Sequence, residues 1–144
     1  MNPKFLFYTV IASALIGCCS TTQNISIKKE RSLITNNVQL SNNLRSFWNE
    51  LNNEAGERPL DQFIPSNILI ARYSLIEHDK QFYLSGFLYS DSTFNEEKIK
   101  DIGGNVVTYT DKIKTFSVPV KSIPFLIQIK GITYIEIGKK AKIK

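Results

Sequence analysis

Few residues of this chain have side chains that could do covalent or acid–base chemistry. The only cysteines are Cys18 and Cys19, and the only histidine is His78, in a polar stretch that predicts a turn. One histidine is a poor general base without partners and cannot build a zinc site alone. Glu96 and Glu97 lie in the first turn of a predicted helix, where carboxylates complement the helix dipole. The sequence therefore predicts a protein that is not an enzyme and that holds no metal or other cofactor.

Cys18 follows a short apolar segment near the start of the chain. Residues 5–16 are an apolar run after Lys4, and about a dozen residues are too few to span a bilayer as a helix. A basic residue, an apolar run and a small residue before a break are typical of a secretory signal. Leu15-Ile16-Gly17-Cys18 resembles the lipobox of bacterial lipoproteins, which implies that Cys18 is lipidated and becomes the new N-terminus. The alternative is an ordinary secretory signal that ends near a cysteine pair.

The lipobox resemblance predicts a lipid-anchored protein of the bacterial cell envelope. Residues 1–17 are then the signal peptide and residues 18–37 a tether rich in Ser, Thr, Asn, Gln and Lys. Acyl chains on Cys18 hold the protein on the membrane, because each buried methylene contributes roughly 0.8 kcal/mol. Retention at the inner membrane is typical of an Asp directly after the lipidated cysteine. Cys19 stands there instead, which favours the outer membrane and leaves open whether Cys19 is acylated or free.

Hydrophobic spacing predicts the elements that follow residue 38. The segment 38–66 contains an amphipathic helix at 41–55, because large apolar residues recur there at helical spacing, and a linker. A β-rich run at 68–76 predicts an extra strand before a polar turn. The remaining predicted elements are a strand at 82–89, a short helix between Thr93 and Gly103-Gly104, strands at 106–110 and 113–118 around a tight turn at Asp111-Lys112, a short helix capped by Ser122, and a strand at 132–137.

The order of these elements predicts the fold class. Strand, helix, strand, strand, helix, strand over residues 82–137 is the order of an α+β, ferredoxin-like βαββαβ sandwich, with two helices on one face of an antiparallel sheet. An extra N-terminal helix and strand precede it, and the α+β domain spans residues 67–144. Such a sheet covers one of its faces with helices. Alternation along the first strand turns Leu84 and Leu88 toward these helices.

The other face of the sheet is expected to carry aromatic side chains. The residues expected there are Tyr83, Phe87, Tyr89 and Tyr109. An exposed aromatic face needs a partner. That partner is either the chain's own helix at 41–55 or strand at 68–76, or another protein, since Tyr-rich patches suit recognition.

Short motifs also follow one another in a set order between residues 82 and 137. They are Tyr83-Leu84-Ser85-Gly86-Phe87, Phe94-Asn95-Glu96-Glu97-Lys98-Ile99, Gly103-Gly104-Asn105-Val106, Phe116-Ser117-Val118-Pro119-Val120 and Lys130-Gly131-Ile132-Thr133-Tyr134-Ile135-Glu136-Ile137. Together they resemble the propeptide, or inhibitor, domain of subtilisin-like serine proteases. The resemblance covers about two fifths of the chain.

This resemblance implies an intramolecular chaperone and tight inhibitor, whose sheet packs on two surface helices of a protease. It also implies that the segment after the last strand lies in the active-site cleft like a product. Carried over, that segment is Gly138, Lys139, Lys140, Ala141, Lys142, Ile143 and Lys144. Family members cap helices of the enzyme with acidic side chains, which makes Asp111 a candidate contact. No Gly-Thr-Ser segment of a protease is visible, so we expect a stand-alone domain rather than a zymogen.

Two functions are therefore predicted. The first is a lipid-anchored envelope protein that binds a subtilisin-like serine protease and inhibits it or assists its folding. The alternative is a structural or adhesion-type lipoprotein that uses the sandwich as a non-inhibitory protein-binding module, because a fold does not fix a function. The basic tail at 138–144 is either a cleft-binding segment or a solvated end. A formal net charge of +5 without a basic stripe argues against nucleic acid as a partner, and no small-molecule substrate is evident.

Overall fold

The computed structural model describes Leu33 and residues 37–140. The predicted signal peptide, the predicted lipidation site Cys18 and the tail residues 141–144 lie outside the described residues. Within these, the fold is α+β, with a mixed sheet of six strands and four α-helices. The elements in chain order are β1 (Gln39–Leu40), α1 (Asn42–Ala55), α2 (Asn67–Tyr73), β2 (Ile76–His78), β3 (Gln81–Ser90), α3 (Glu97–Asp101), β4 (Asn105–Thr108), β5 (Ile113–Pro119), a 3₁₀ turn (Val120–Ser122), α4 (Ile123–Leu126) and β6 (Ile132–Ile137).

Helix α1 confirms the amphipathic helix predicted at 41–55. Ser41 caps its start, since the Ser41 hydroxyl accepts a hydrogen bond from the Leu44 amide at 3.2 Å. Gly56, with φ of 59°, ends it. The apolar stripe of the helix is buried, as predicted, and comprises Leu44, Phe47, Trp48, Leu51 and Ala55.

The extra strand predicted at 68–76 is wrong, because most of that run forms helix α2. Ser66 supplies the cap: its hydroxyl accepts from the Leu69 amide at 3.2 Å, and its own amide donates to Glu54 of α1 at 3.0 Å. Leu69 and Tyr73, four residues apart, are both buried on one side of the helix. Helical packing against α1 therefore outweighs the strand propensity of the Ile-rich run. Ser74 then adopts a left-handed conformation and ends the helix.

The sheet has the strand order β1-β6-β3-β5-β4. The pairs β6–β3, β3–β5 and β5–β4 are antiparallel, whereas β1 runs parallel to β6, so the sheet is mixed rather than purely antiparallel. Strand β3 is long enough to share one side between two partners. Its first residues pair with the short strand β2, with Tyr83 opposite Ile76, and its last residues pair with β6 from Gly86 onward. The strand that precedes β3 therefore lies at the sheet edge beyond the end of β6.

Helices α1, α3 and α4 pack on one face of the sheet, α2 packs against α1, and together they form a helix layer. Leu84 and Leu88 of β3 are fully buried there, as predicted, in one cluster with Ile135 of β6. Phe47 of α1 and Ile123 of α4 belong to the same cluster. The predicted helix at 41–55 thus covers the same face as the short helices, and it does not cover the other one. No helix in the described part of the chain is long and apolar enough to cross a membrane.

The ends of the short helices and the last hairpin differ from the predictions. Helix α3 begins at Glu97, whose amide donates to the Asn95 side chain at 3.0 Å, whereas Thr93 bonds to Asp91 and not to the helix. Ser122 does not cap α4, because its hydroxyl donates to the Ile102 carbonyl at 2.8 Å. The β4–β5 turn spans residues 109–112 rather than two residues. Two successive amides of this turn, at 109 and 110, donate to the carbonyl of residue 113.

Candidate functional site

The sheet face opposite the helix layer, called here the open face, is the candidate site. Strand alternation and register place on it Tyr83, Ser85, Phe87 and Tyr89 of β3, Tyr134 and Glu136 of β6, Ile113, Thr115 and Ser117 of β5, and Asn105 and Val107 of β4. No helix among the described residues lies over these side chains. Phe87 keeps 48% of its surface exposed and Val107 keeps 59%. Exposed apolar side chains grouped on one face are typical of a protein-binding surface.

A row of side chains crosses the middle of the open face. Phe87 pairs with Glu136 on one side and with Thr115 on the other, and Thr115 pairs in turn with Val107. Side chains opposite each other on neighbouring strands are close enough to interact. A shallow depression lies along this row, and it is lined by Ser85, Phe87, Asn105, Val107, Thr115, Ser117 and Gly138.

The site residues predicted from the sequence divide into two groups. Phe87 and Tyr89 lie on the open face and are exposed, and Tyr83 lies there half-buried, with its ring 6.3 Å from that of His78. Tyr109 and Asp111 lie in the β4–β5 turn, and Tyr109 is 77% exposed there. Tyr89 and residues 110–113 line a second depression. The turn therefore continues the open face at its rim.

Most residues of this surface were not predicted as site residues. Val107, Tyr134 and Glu136 lie on the open face, and Ile76 of β2 extends it beside Tyr83. The signal was present in the sequence, because the alternation applied to the first strand also applies to β4 and β6. Alternation could not place Ile76, because most of the strand predicted at 68–76 is helix α2 and only Ile76 belongs to a strand.

Charge is sparse on the open face. At the described strand positions of this face Glu136 is the only carboxylate, and no lysine or arginine stands there. Lys114 of β5 turns to the opposite side, where its side chain is only 9% exposed. Its ammonium group lies 3.3 Å from the Asp111 carbonyl and 5.7 Å from the centre of the Phe94 ring. These strand positions therefore offer no positive charge to a ligand.

The first residues of the predicted cleft-binding tail contact the helix layer. The Lys139 ammonium group lies 3.4 Å from Glu50 Oε1 of α1 and 5.4 Å from the centre of the Tyr73 ring of α2. The Lys140 amide donates to the Arg72 carbonyl at 2.9 Å. Gly138 lines the depression on the open face. The remaining tail residues, Ala141, Lys142, Ile143 and Lys144, lie outside the described residues.

Glu50 is the centre of this contact. Its carboxylate accepts from the Tyr73 hydroxyl at 2.9 Å, pairs with the Arg72 guanidinium group and receives Lys139. Burial raises the pKa of Glu50, but the hydrogen bonds from Tyr73 and Arg72 and the Arg72 charge outweigh it and lower the pKa. Burial and the bond to Glu50 raise the pKa of the Tyr73 hydroxyl. The interactions with Tyr73 and Glu50 raise the pKa of Lys139.

The remaining ionisable candidates have structural contacts. His78 is exposed on β2, 3.2 Å from Asp79. Glu96 accepts from the Thr108 hydroxyl at 2.6 Å, and Glu97 pairs with Lys100 at 2.8 Å. Within the described residues, no three His, Cys, Asp or Glu side chains are grouped so that they could hold a metal ion.

Comparisons with protein-family models, with curated proteins and with solved structures found no match to this chain. Any function assigned to it therefore rests on the geometry of its own residues.

Proposed function

We propose that this chain is a protein-binding domain of the bacterial cell envelope, anchored through acyl chains on Cys18, whose open face docks on a partner protein. The observation that carries the proposal is the exposure of the apolar side chains Phe87 and Val107 in the row across the open face, backed by a layer of helices on the reverse side of the sheet. A rigid sheet presents such a row without an ordering cost at binding.

The partner in this proposal is a subtilisin-like serine protease, which the domain inhibits or helps to fold. The proposal takes residues 82–137 as a ferredoxin-like, propeptide-like unit. Two observations support this arrangement: the antiparallel order β6-β3-β5-β4, and the positions of α3 and α4 in the chain between β3 and β4 and between β5 and β6. The open face then corresponds to the surface that packs on the enzyme, and the tail to the segment that enters its cleft.

A second candidate is a non-inhibitory protein-binding module of the same envelope. The contacts of Lys139 and Lys140 with α1 and α2 favour it, because they hold the start of the tail on the helix layer. In this case the domain uses the open face alone, and the tail has no role in binding.

The experiment that tests the proposal measures inhibition of a panel of subtilisin-like proteases. The intact chain is compared with a variant that ends at Ile137 and with the Phe87→Ser variant, after circular dichroism shows that each is folded. Inhibition that requires both the tail and Phe87 supports the propeptide-like function. Binding without inhibition, unchanged in the shortened variant, supports the second candidate, and the absence of binding to every protease contradicts a protease as the partner.

A further inference from the structure

The contact between the tail and the helix layer is more specific than a solvated lysine end requires. Two consecutive residues take part, and they use different groups: Lys139 through its side chain, and Lys140 through its backbone amide. Both contacts lie at the junction of α1 and α2, because Glu50 belongs to α1 and Arg72 to α2.

The residues that receive the tail also contact one another, independently of the tail. Glu50 is held by Tyr73 and Arg72, and Tyr73 is itself buried, with its ring 4.9 Å from that of Phe47. A carboxylate fixed in this way offers Lys139 an oriented acceptor, and the Tyr73 ring offers the ammonium group a cation–π contact. The Arg72 carbonyl lies close to the C-terminal end of α2, where helix carbonyls lack partners within the helix, and the Lys140 amide supplies one.

We propose that Glu50, Arg72 and Tyr73 form a latch that holds the tail on the helix layer through Lys139 and Lys140, and that this latch must open before the tail can enter the cleft of a partner. The second half of this inference rests on the proposed function. Opening the latch loses one ion pair, one cation–π contact and one backbone hydrogen bond, while Glu50 keeps Arg72 and Tyr73. The open state is therefore accessible, and the latch lowers the affinity of the tail for any cleft by competing with it.

Amide hydrogen exchange at Lys140, measured by NMR on the full chain in detergent micelles, tests the latch without any protease. The variants are Glu50→Gln, which removes the charge of the acceptor, and Lys139→Met, which removes the ammonium group but leaves Glu50 with Arg72 and Tyr73. The exposed Glu57→Gln and Lys121→Met substitutions are the matched controls. We expect Lys140 to exchange roughly fivefold to tenfold faster in both latch variants, with unchanged exchange in β3 and in both controls.

Unchanged exchange at Lys140 in both latch variants overturns the latch. Faster exchange in Lys139→Met supports it even if Glu50→Gln also loosens α2. The competition is tested by inhibition of the protease panel, where Glu50→Gln is expected to inhibit more tightly than the native chain by a similar factor. Faster exchange without tighter inhibition overturns the competition and leaves the latch supported. If the native chain inhibits no protease, the proposed function fails, and the exchange experiment still decides the latch.

Discussion

Tyr89 and Tyr134 face each other across strands β3 and β6, with ring centroids 5.5 Å apart and ring planes at 67°. This edge-to-face arrangement contributes about 0.5–1.5 kcal/mol beyond the burial of the rings. The pair lies on the open face, so it orders an exposed surface rather than a core. A surface that is ordered before binding loses little side-chain entropy when a partner docks on it.

The first prediction concerns the two apolar side chains in the row across the open face. Replacing Phe87 and Val107 by Ser is expected to change the free energy of unfolding by no more than about 0.5 kcal/mol, because about half of each residue's surface is exposed. Inhibition of the protease is expected to weaken by at least about tenfold, as for other central interface residues. The control is Phe125→Ser on α4, a side chain that is 60% exposed on the helix layer. Equal losses in both variants would contradict a role specific to the open face.

The second prediction concerns Gly86, where β3 passes between β5 and β6. A Cβ added at Gly86 would lie 2.2 Å from the Glu136 carbonyl oxygen and 3.0 Å from the Phe116 ring. Gly86→Ala is therefore expected to destabilise the fold by about 1–3 kcal/mol, because backbone of a neighbouring strand must move. The measurement is urea-induced unfolding. Gly138→Ala is the control, since a Cβ there meets nothing within 4 Å, and a similar cost at both positions would refute this steric explanation.

The third prediction separates the packing of Lys114 from its charge. The side chain is buried on the side of β5 opposite the open face, and its ammonium group lies 3.9 Å from Glu96. Lys114→Ala is expected to lower the free energy of unfolding by about 2 kcal/mol, because it leaves a cavity beside Phe94. Lys114→Met fills that space and is expected to be neutral or stabilising by about 1 kcal/mol. Calorimetry on both variants checks this, and a Met variant as unstable as the Ala variant would show that the charge is needed.

The fourth prediction is the pH dependence of the latch. The pKa of Glu50 is lowered in the folded chain, so its contribution to stability is complete above its ordinary pKa of 4.5 and is lost as the pH falls through the folded value. The pKa of Lys139 is raised, so its contribution is complete below its ordinary pKa of 10.5 and is lost as the pH rises through the folded value. The pKa of the Tyr73 hydroxyl is also raised, so this group stays protonated at pH values above its ordinary pKa of 10.0.

Urea unfolding of the native chain and of Glu50→Gln at a series of pH values measures this dependence. The stability difference between them is expected to be constant near neutral pH and to shrink as Glu50 becomes protonated. A difference that persists in acid would mean that Glu50 stabilises the chain through its shape and not its charge. The Glu57→Gln variant provides the baseline for loss of one exposed carboxylate.

Some elements of the fold follow directly from local sequence. Helix α1 has a capping serine, a regular apolar stripe and a terminal glycine, and the prediction at 41–55 matches Asn42–Ala55 closely. Helix α2 could not be separated from a strand by its Ile-rich run, because short apolar runs suit either structure. The cap Ser66 after Pro65 was the available signal. This serine also donates hydrogen bonds to Glu54 of α1, and that contact is not evident from the local sequence.

Site residues could be predicted only where the two-residue period of a strand decides which face a side chain lies on. Phe87 and Tyr89 follow from the period of two residues, and both are exposed as expected. The contact of Lys139 with Glu50 joins residues 89 positions apart in the chain. Neither residue carries a local signal for the other, because the contact exists only once α1 and β6 are packed together. From the sequence alone, a lysine-rich end is compatible with a solvated segment, and only the packing shows the contact.

The parallel pairing of β1 with β6 has a mechanical consequence. β1 enters the sheet near the N-terminal end of the described domain and β6 leaves it near the C-terminal end, with Leu40 beside Ile135 and the Ser41 amide bonded to the Ile135 carbonyl at 2.9 Å. Tension applied between residues 37 and 138 therefore pulls the two strands along their length in opposite directions. The hydrogen bonds between them share the load in shear, instead of opening one after another. A domain held at one end by a membrane and at the other by a partner would resist stretching through this pair of strands.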